Sequence, residues 1–260
     1  MMTCGSSTDQ ESADATVAKI AVVGAGWWSQ TRHLPHLANR TDAIVLAIVD
    51  PNPHPATPLA PTAPLRQLAD AHGAVAFHSV DQMLDHPLAA RLDGVIVASP
   101  HAHHHAAGVA ALGAGLHVLM EKPMATCVRE ARELAEAAAA ASGCAFMINN
   151  TANWRPQARA ARECVASRQL GEVLHVACWM HAPLLFLFDN PKNVGWTQPS
   201  GAMVANGFGY GQLSHLLAWV LHVCDLEPVE AYATMVASAS SGADIADAVV
   251  IRCANGASIS

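Results

Sequence analysis

Three short stretches carry residues whose types and spacing could do chemistry. The first is GAGWWS, residues 24–29, which follows a β-branched run and opens a stretch with helical pattern. It fits G-x-G-x-x-G/A with Ser29 in the third place. Gly24 would make the turn, and Gly26 would let a pyrophosphate approach the backbone at the positive end of a helix. Trp27 and Trp28 fill the variable positions. Glycine turns after strands are common, so the motif gains weight from Asp50, which ends the next β-branched run. A carboxylate there can accept hydrogen bonds from an adenosine ribose and would repel a 2′-phosphate, which favours NAD over NADP. The plainer alternative is an acid that caps a strand end before a proline.

The second stretch is EKP, residues 121–123. The chain has 14 basic residues, and the only lysines are Lys19, Lys122 and Lys192. In a doubly wound sheet, ligands sit beyond the carboxyl ends of the strands. A lysine in that position would face the cleft, where it can donate or accept a proton or orient a hydroxyl. Taken alone, EKP reads more readily as a surface turn.

The third is SPHAHHHAA, residues 99–107, with His101, His103, His104 and His105. Zinc needs three or four ligands on one centre. Consecutive helical positions diverge by about 100° each, so His103, His104 and His105 cannot all face one ion. The readings left are strand-end and helix-start residues, solvated histidines, or an adventitious metal; no metal site is assigned.

These stretches need a frame. Residues 19–26, 43–50 and 93–100 read as buried strands, 74–77 as a short strand, 117–123 as a strand and turn, and 144–150 as a final strand. Between them lie helical patterns: WWSQTRHLPHLAN, in which Pro35 would kink or shorten the helix, then LRQLADAH, DQMLDH capped by Ser79 or Asp81, HHHAAGVAALGAG, and a long helix with an Arg129–Glu133 pair that stops at Gly143. Residues 51–64 hold six prolines and read as an irregular loop. The alternation points to an α/β, doubly wound parallel sheet of Rossmann type over residues 18–150, after a frayed tail at 1–17. Residues 151–260 read as a C-terminal α/β part: a helix in RPQARAARECVASRQLGEV, a strand in LHVACWMHA, a loop in FLFDNPKNVGWTQPSG, a helix in GQLSHLLAWVLHV, then strands.

Bulk properties exclude several classes. The net charge is −7 with no basic run, which argues against nucleic-acid binding. No apolar run reaches the length of a membrane span. Seven scattered cysteines form no C-x-x-C pair, so thiols in a reducing, cytoplasmic setting are expected.

The stretches GAGWWSQTRHLP, ASPHAHHHAAGVAALGAGLHVLMEKPMATCVREARELAEAA and RQLGEVLHV resemble the glucose–fructose oxidoreductase, inositol dehydrogenase and rhizopine-catabolism (Gfo/Idh/MocA) family. The resemblance implies a Rossmann domain followed by an open-sheet domain, and NAD(P)-dependent oxidation or reduction of sugars, inositols or similar polyols. It implies that Lys122 is the active-site lysine and that Glu121 lies beside the cofactor. Ser99, Pro100 and His101 match the loop near the nicotinamide, and His104 the histidine at the start of the next helix. His215 matches the active-site histidine. The aspartate usual four residues earlier is replaced by Gly211. Asn153, Arg155, Trp196 and Gln212 are candidates for sugar contacts. The resemblance also implies about another domain's worth of strands, so the C-terminal part is expected to be incomplete. Members often pair through the open sheet, which makes a homo-oligomer an expectation. Two alternatives stand beside the dehydrogenase: an inactive dinucleotide-binding remnant, and a lyase or glycosidase-like enzyme that oxidises its sugar only transiently.

Overall fold

The computed structural model describes residues 17–56, 60–189 and 207–260. Six strands form one parallel sheet: β1 (Ala18–Val23), β2 (Ala43–Val49), β3 (Val75–Phe77), β4 (Gly94–Val97), β5 (His117–Met120) and β6 (Phe146–Ile148). Their spatial order is β3-β2-β1-β4-β5-β6. The order reverses between β1 and β4, and that switch point opens a crevice at the carboxyl ends of the strands. The apolar runs become central strands because both faces are covered: all four residues of β4 are buried, as a parallel sheet with helices on both sides requires.

The helices of this half are α1 (Leu34–Ala38), α2 (Leu65–His72), α3 (Val80–Leu84), α4 (His104–Gly113) and α5 (Val128–Ala140). One core joins Val23, Val49, Val95, Val97 and Met120 to Ala111, Leu112 and Leu134; the other packs Val22, Ile48 and Ile96 against Leu34, Leu37, Leu65 and Leu68. Alternate strand residues thus feed opposite layers. Ser79 is the cap of α3, its hydroxyl accepting the Gln82 N–H at 3.0 Å.

Two elements of this half differ from expectation. The helix after GAGWWS begins as a wide π-type turn, Ser29–His33, and continues as α1 with Pro35 in its first turn. Proline lacks an N–H to donate, and it follows directly on the wide turn, in which the Leu34 N–H bonds back five residues to the Ser29 carbonyl. The strands β1, β2 and β4 also end before the runs do, at Val23, Val49 and Val97.

In the C-terminal half, α6 (Pro156–Ala166), α7 (Leu185–Phe188) and α8 (Ser214–Cys224) accompany β7 (His175–Val176), β8 (Pro228–Ala237), β9 (Asp244–Cys253) and β10 (Ser258–Ile259). The second sheet has the order β7-β10-β9-β8. Two expectations are corrected here. The strand in LHVACWMHA is only two residues long, because β10 offers a two-residue partner. Residues 186–188, expected as the start of a loop, belong to the turn of helix α7, which buries Leu187 and Phe188.

Candidate active site

The carboxyl ends of β1, β2, β4, β5 and β6 bring the sequence candidates together. At Gly24 the backbone has φ +96°, and an added Cβ would sit 2.6 Å from the Ala98 and Ser99 backbone at the end of β4. Glycine is therefore required both by conformation and by close approach. Gly26 is different: a Cβ there would meet nothing within 4 Å. That open space beside the turn is a cradle of the kind a pyrophosphate needs. Ser29 is buried, and its hydroxyl donates to the Gly24 carbonyl, closing the turn. Asp50 lies beside the same turn: Oδ2 accepts the Ala25 N–H at 2.7 Å and Oδ1 accepts the Asn52 N–H at 2.9 Å.

Glu121 organises the far side of the crevice. Its Oε1 accepts from Trp28 Nε1 at 2.8 Å and Asn149 Nδ2 at 2.7 Å, with His33 Nε2 at 2.9 Å. Burial by itself would raise this carboxyl. The hydrogen bonds from His33, Asn149 and Trp28 outweigh it and bring the pKa down to about 2. His33 and Asn149 were not among the sequence candidates. Asn149 directly follows β6, and that strand-end position was the available signal. His33 lies 88 residues from Glu121, and nothing local in the sequence announces the contact.

The Glu121 shift has a consequence for stability. The carboxyl is lowered from 4.5 to about 2, so its contribution is fully present above the unfolded-state value and is lost as pH falls through the folded one. The difference corresponds to roughly 3 kcal/mol at neutral pH. Thermal melts of Glu121→Gln and the unaltered chain should differ most at neutral pH, and the gap should narrow as the pH falls below about 4. A gap that does not change with pH would show that the three donors do not stabilise the carboxylate.

Lys122 follows Glu121, and its amine donates to the Gly211 carbonyl oxygen at 2.6 Å. Burial lowers the Lys122 pKa from the ordinary lysine value, with the Glu121 charge opposing. His215, near the start of α8, is lowered by burial and then by the Lys122 charge. The position where the resemblance implies a carboxylate thus serves Lys122 through its backbone. An added Cβ on Gly211 would lie 3.2 Å from the Phe188 ring. Phe188, which the sequence reading passed over, occupies the side-chain space at that position.

The histidines take separate roles. His104 has no exposed surface; its Nδ1 lies 2.8 Å from the Pro123 carbonyl oxygen and its Nε2 2.9 Å from that of Ser99. A ring sealed in this way cannot touch a ligand, so its expected place among the direct cofactor contacts is corrected. It ties the strand-end turns after β4 and β5 together. His101 is buried beside it, with its pKa lowered to about 3 by burial and then by His104 and Lys122. His103 is exposed, and His105 pairs with Glu133 at 2.7 Å. Among the described residues, no group of three or more His, Cys, Asp or Glu side chains is placed to hold a metal ion.

Pro100 is exposed at the crevice, and the buried Ser99 Oγ has no hydrogen-bond partner among the described residues. The same holds for Asn150 Oδ1, Asn153 Oδ1 and Ser214 Oγ. Buried polar atoms without partners are costly, and ligand groups can satisfy them. Asn153 Nδ2 reaches the Ala218 carbonyl on α8 at 3.3 Å. Arg155 is exposed just before α6, and Gln212 is half-buried in the turn leading to α8. Trp196 lies outside the described residues.

The residues fit a dinucleotide: an open cradle at Gly26, a carboxylate at Asp50 and partnerless polar atoms on Ser99 and Asn150 beyond the ends of β4 and β6. A family model described as "Oxidoreductase family, NAD-binding Rossmann fold" matches residues 18–150, and a "GFO/IDH/MocA C-terminal domain" model matches residues 158–260. Inositol 2-dehydrogenase of Leifsonia xyli is 32% identical over 157 residues, 60% of this chain and 42% of the relative. Glucose-6-phosphate 3-dehydrogenase of Bacillus subtilis is 28% identical over 158 residues, 61% of this chain and 41% of the relative. The chain thus spans less than half the length of these two curated relatives. Among solved structures, the WlbA dehydrogenase from Bordetella pertussis, in complex with NADH and UDP-GlcNAcA, superposes with TM-score 0.74 at 21% identity, covering 94% of this chain and 66% of that one. That likeness shows the shared fold.

Proposed function

The chain belongs to the Gfo/Idh/MocA family of NAD-binding Rossmann-fold oxidoreductases, and from that premise we propose that it transfers hydride between nicotinamide and a secondary alcohol carbon of a sugar, inositol or similar polyol. The observation that carries the reading is the Lys122 amine, part-buried at the end of β5 and held by the Gly211 carbonyl at 2.6 Å, with His215 close enough to feel its charge. When bound, the nicotinamide supplies the hydride acceptor or donor. Every other step falls to the chain. The turn at Gly24 and Gly26 with Trp27 and Trp28 holds the dinucleotide, Asp50 takes the adenosine ribose, and Ser99, Pro100 and Glu121 border the nicotinamide. Lys122, lowered by burial, takes the hydroxyl proton as the alcohol is oxidised and returns it in reduction. His215 orients the same hydroxyl. Gln212, Asn153 and Arg155 are the proposed sugar contacts.

NAD is the proposed cofactor in preference to NADP, because the Asp50 carboxylate would face a 2′-phosphate. Thermal shift with NADH and NADPH in parallel tests this: a clear shift with NADH and a smaller one with NADPH is expected, and equal shifts would remove Asp50 from the account. Pairing of chains through the exposed face of β8, where Tyr232 is 74% exposed and Val236 is also exposed, is part of the same proposal and is read by sedimentation of those samples. No helix among the described residues is long and apolar enough to cross a membrane. The six described cysteines are free thiols, which supports a cytoplasmic setting.

A further inference from the structure

A carboxylate on β9 reaches the turn that leads into α8. Asp244 is buried; its Oδ1 accepts the Gly207 N–H at 2.8 Å and its Oδ2 accepts the Gly209 N–H. The approach is close enough to dictate composition: a Cβ on Gly207 would lie 2.2 Å from the Asp244 carbonyl oxygen and 2.5 Å from its nitrogen. Gly207 of GFGYG, residues 207–211, is therefore explained by packing onto the Asp244 backbone and side chain, while a Cβ on Gly209 would meet Met235 and the Asp244 carboxylate and one on Gly211 would meet Phe188. Within the turn, the Gly211 N–H donates to the Gly207 carbonyl at 3.0 Å, and the Gly211 carbonyl accepts the Lys122 amine at 2.6 Å. A continuous hydrogen-bonded path thus runs from β9 to the lysine: Asp244 to Gly207, Gly207 to Gly211, Gly211 to Lys122.

We propose that Asp244 is a positioning residue for Lys122, its carboxylate fixing the 207–211 turn so that the Gly211 carbonyl holds the lysine amine in the crevice. This rests on the reading of Lys122 as the proton-transfer group. A side chain at Gly211 would crowd the Phe188 ring at 3.2 Å, and it is the backbone carbonyl of this position that holds the amine. The neighbouring acid, Asp247, has both oxygens buried without a hydrogen-bond partner among the described residues. Burial first, and the Asp244 charge second, raise it to about 6. It is Asp244, not Asp247, that receives the two backbone donors of the turn.

The test is competitive labelling of the 260-residue chain with acetic anhydride across pH, read by peptide mass spectrometry. The sequence suits it, since Lys19 and Lys192 are the only other lysines and Lys19 serves as internal reference. The groups that share the Lys122 environment are Glu121, His101, His104 and His215, and all remain in the variants. Asp244→Ala should release the turn, expose the amine, raise its labelling several-fold and move its midpoint up toward the ordinary lysine value. Asp244→Asn, nearly isosteric but with one acceptor oxygen, should lie between. In turnover, the same variants should lose kcat by about tenfold or more with KM changed much less, and NADH-dependent stabilisation should persist. A purely structural role for Asp244 would not move the Lys122 midpoint in a folded protein. If Asp244→Asn melts cooperatively and still labels at Lys122 as the unaltered chain does, the proposal is overturned. If the midpoint moves but the unaltered chain turns over no alcohol, the positioning stands and the oxidoreductase reading fails.

Discussion

Lys122→Met should lower kcat for alcohol oxidation by about 10²–10⁴-fold, the usual contribution of one positioned proton-transfer group, while NADH still stabilises the chain. Methionine keeps much of the length and apolar contact of the lysine stem and removes only the amine. The dinucleotide cradle lies on other strands, at Gly26 and Asp50, so cofactor binding should survive. The pH profile carries a second signature. Oxidation needs the neutral amine, and burial lowers the Lys122 pKa below its ordinary 10.5. The rate at saturating substrate should therefore rise with pH and level off before that value, and Lys122→Met should flatten the profile. Rate constants from steady-state assays of the two proteins across pH decide it. A variant with unchanged kcat would take Lys122 out of the chemistry.

The second large effect is expected at Gly24. A methyl there meets the Ala98 and Ser99 backbone at 2.6 Å, and the φ of +96° is one that side chains rarely adopt. Strain and overpacking together should cost about 2–5 kcal/mol, a fall in Tm of about 5–15 °C for a chain of this size. Gly26 provides the contrast. Its added methyl touches nothing within 4 Å, so Gly26→Ala should melt close to the parent. It would instead fill the cradle and weaken NADH binding by about tenfold or more, since a methyl lying against bound phosphate must displace it or shift the backbone. Melting curves with and without NADH separate the two. Equal stability of Gly24→Ala and Gly26→Ala would contradict the different surroundings of the two glycines.

The sheet was legible because its strands are buried on both faces and appear as unbroken β-branched runs, and because the glycines, Asp50 and EKP mark strand ends. A doubly wound order then brings those ends together with no further information. What escaped reading is long-range. His33, Asn149 and Trp28 converge on Glu121 only after folding, and Asp244 meets Gly207 across 37 positions of sequence. His104 shows a different limit. The pattern that opens a helix is the same whether the ring faces outward or is sealed against two carbonyls, so its type was legible and its direction was not. Phe188 sits in a stretch where proline and glycine suggested loop, and four residues of helix leave no periodic signal. The loss of the aspartate at 211 was visible, but the reuse of that position's backbone carbonyl by Lys122 was not.

The central claim is net hydride transfer governed by Lys122. Its most direct test is the nicotinamide absorbance of the purified chain with NAD and a panel of sugars and inositols, run beside Lys122→Met. The account predicts NADH accumulation with at least one polyol and its loss in the variant. Tight NADH binding with no net change in nicotinamide redox state across the panel would contradict it, and would leave either a dinucleotide-binding remnant or an enzyme that returns its hydride within each turnover.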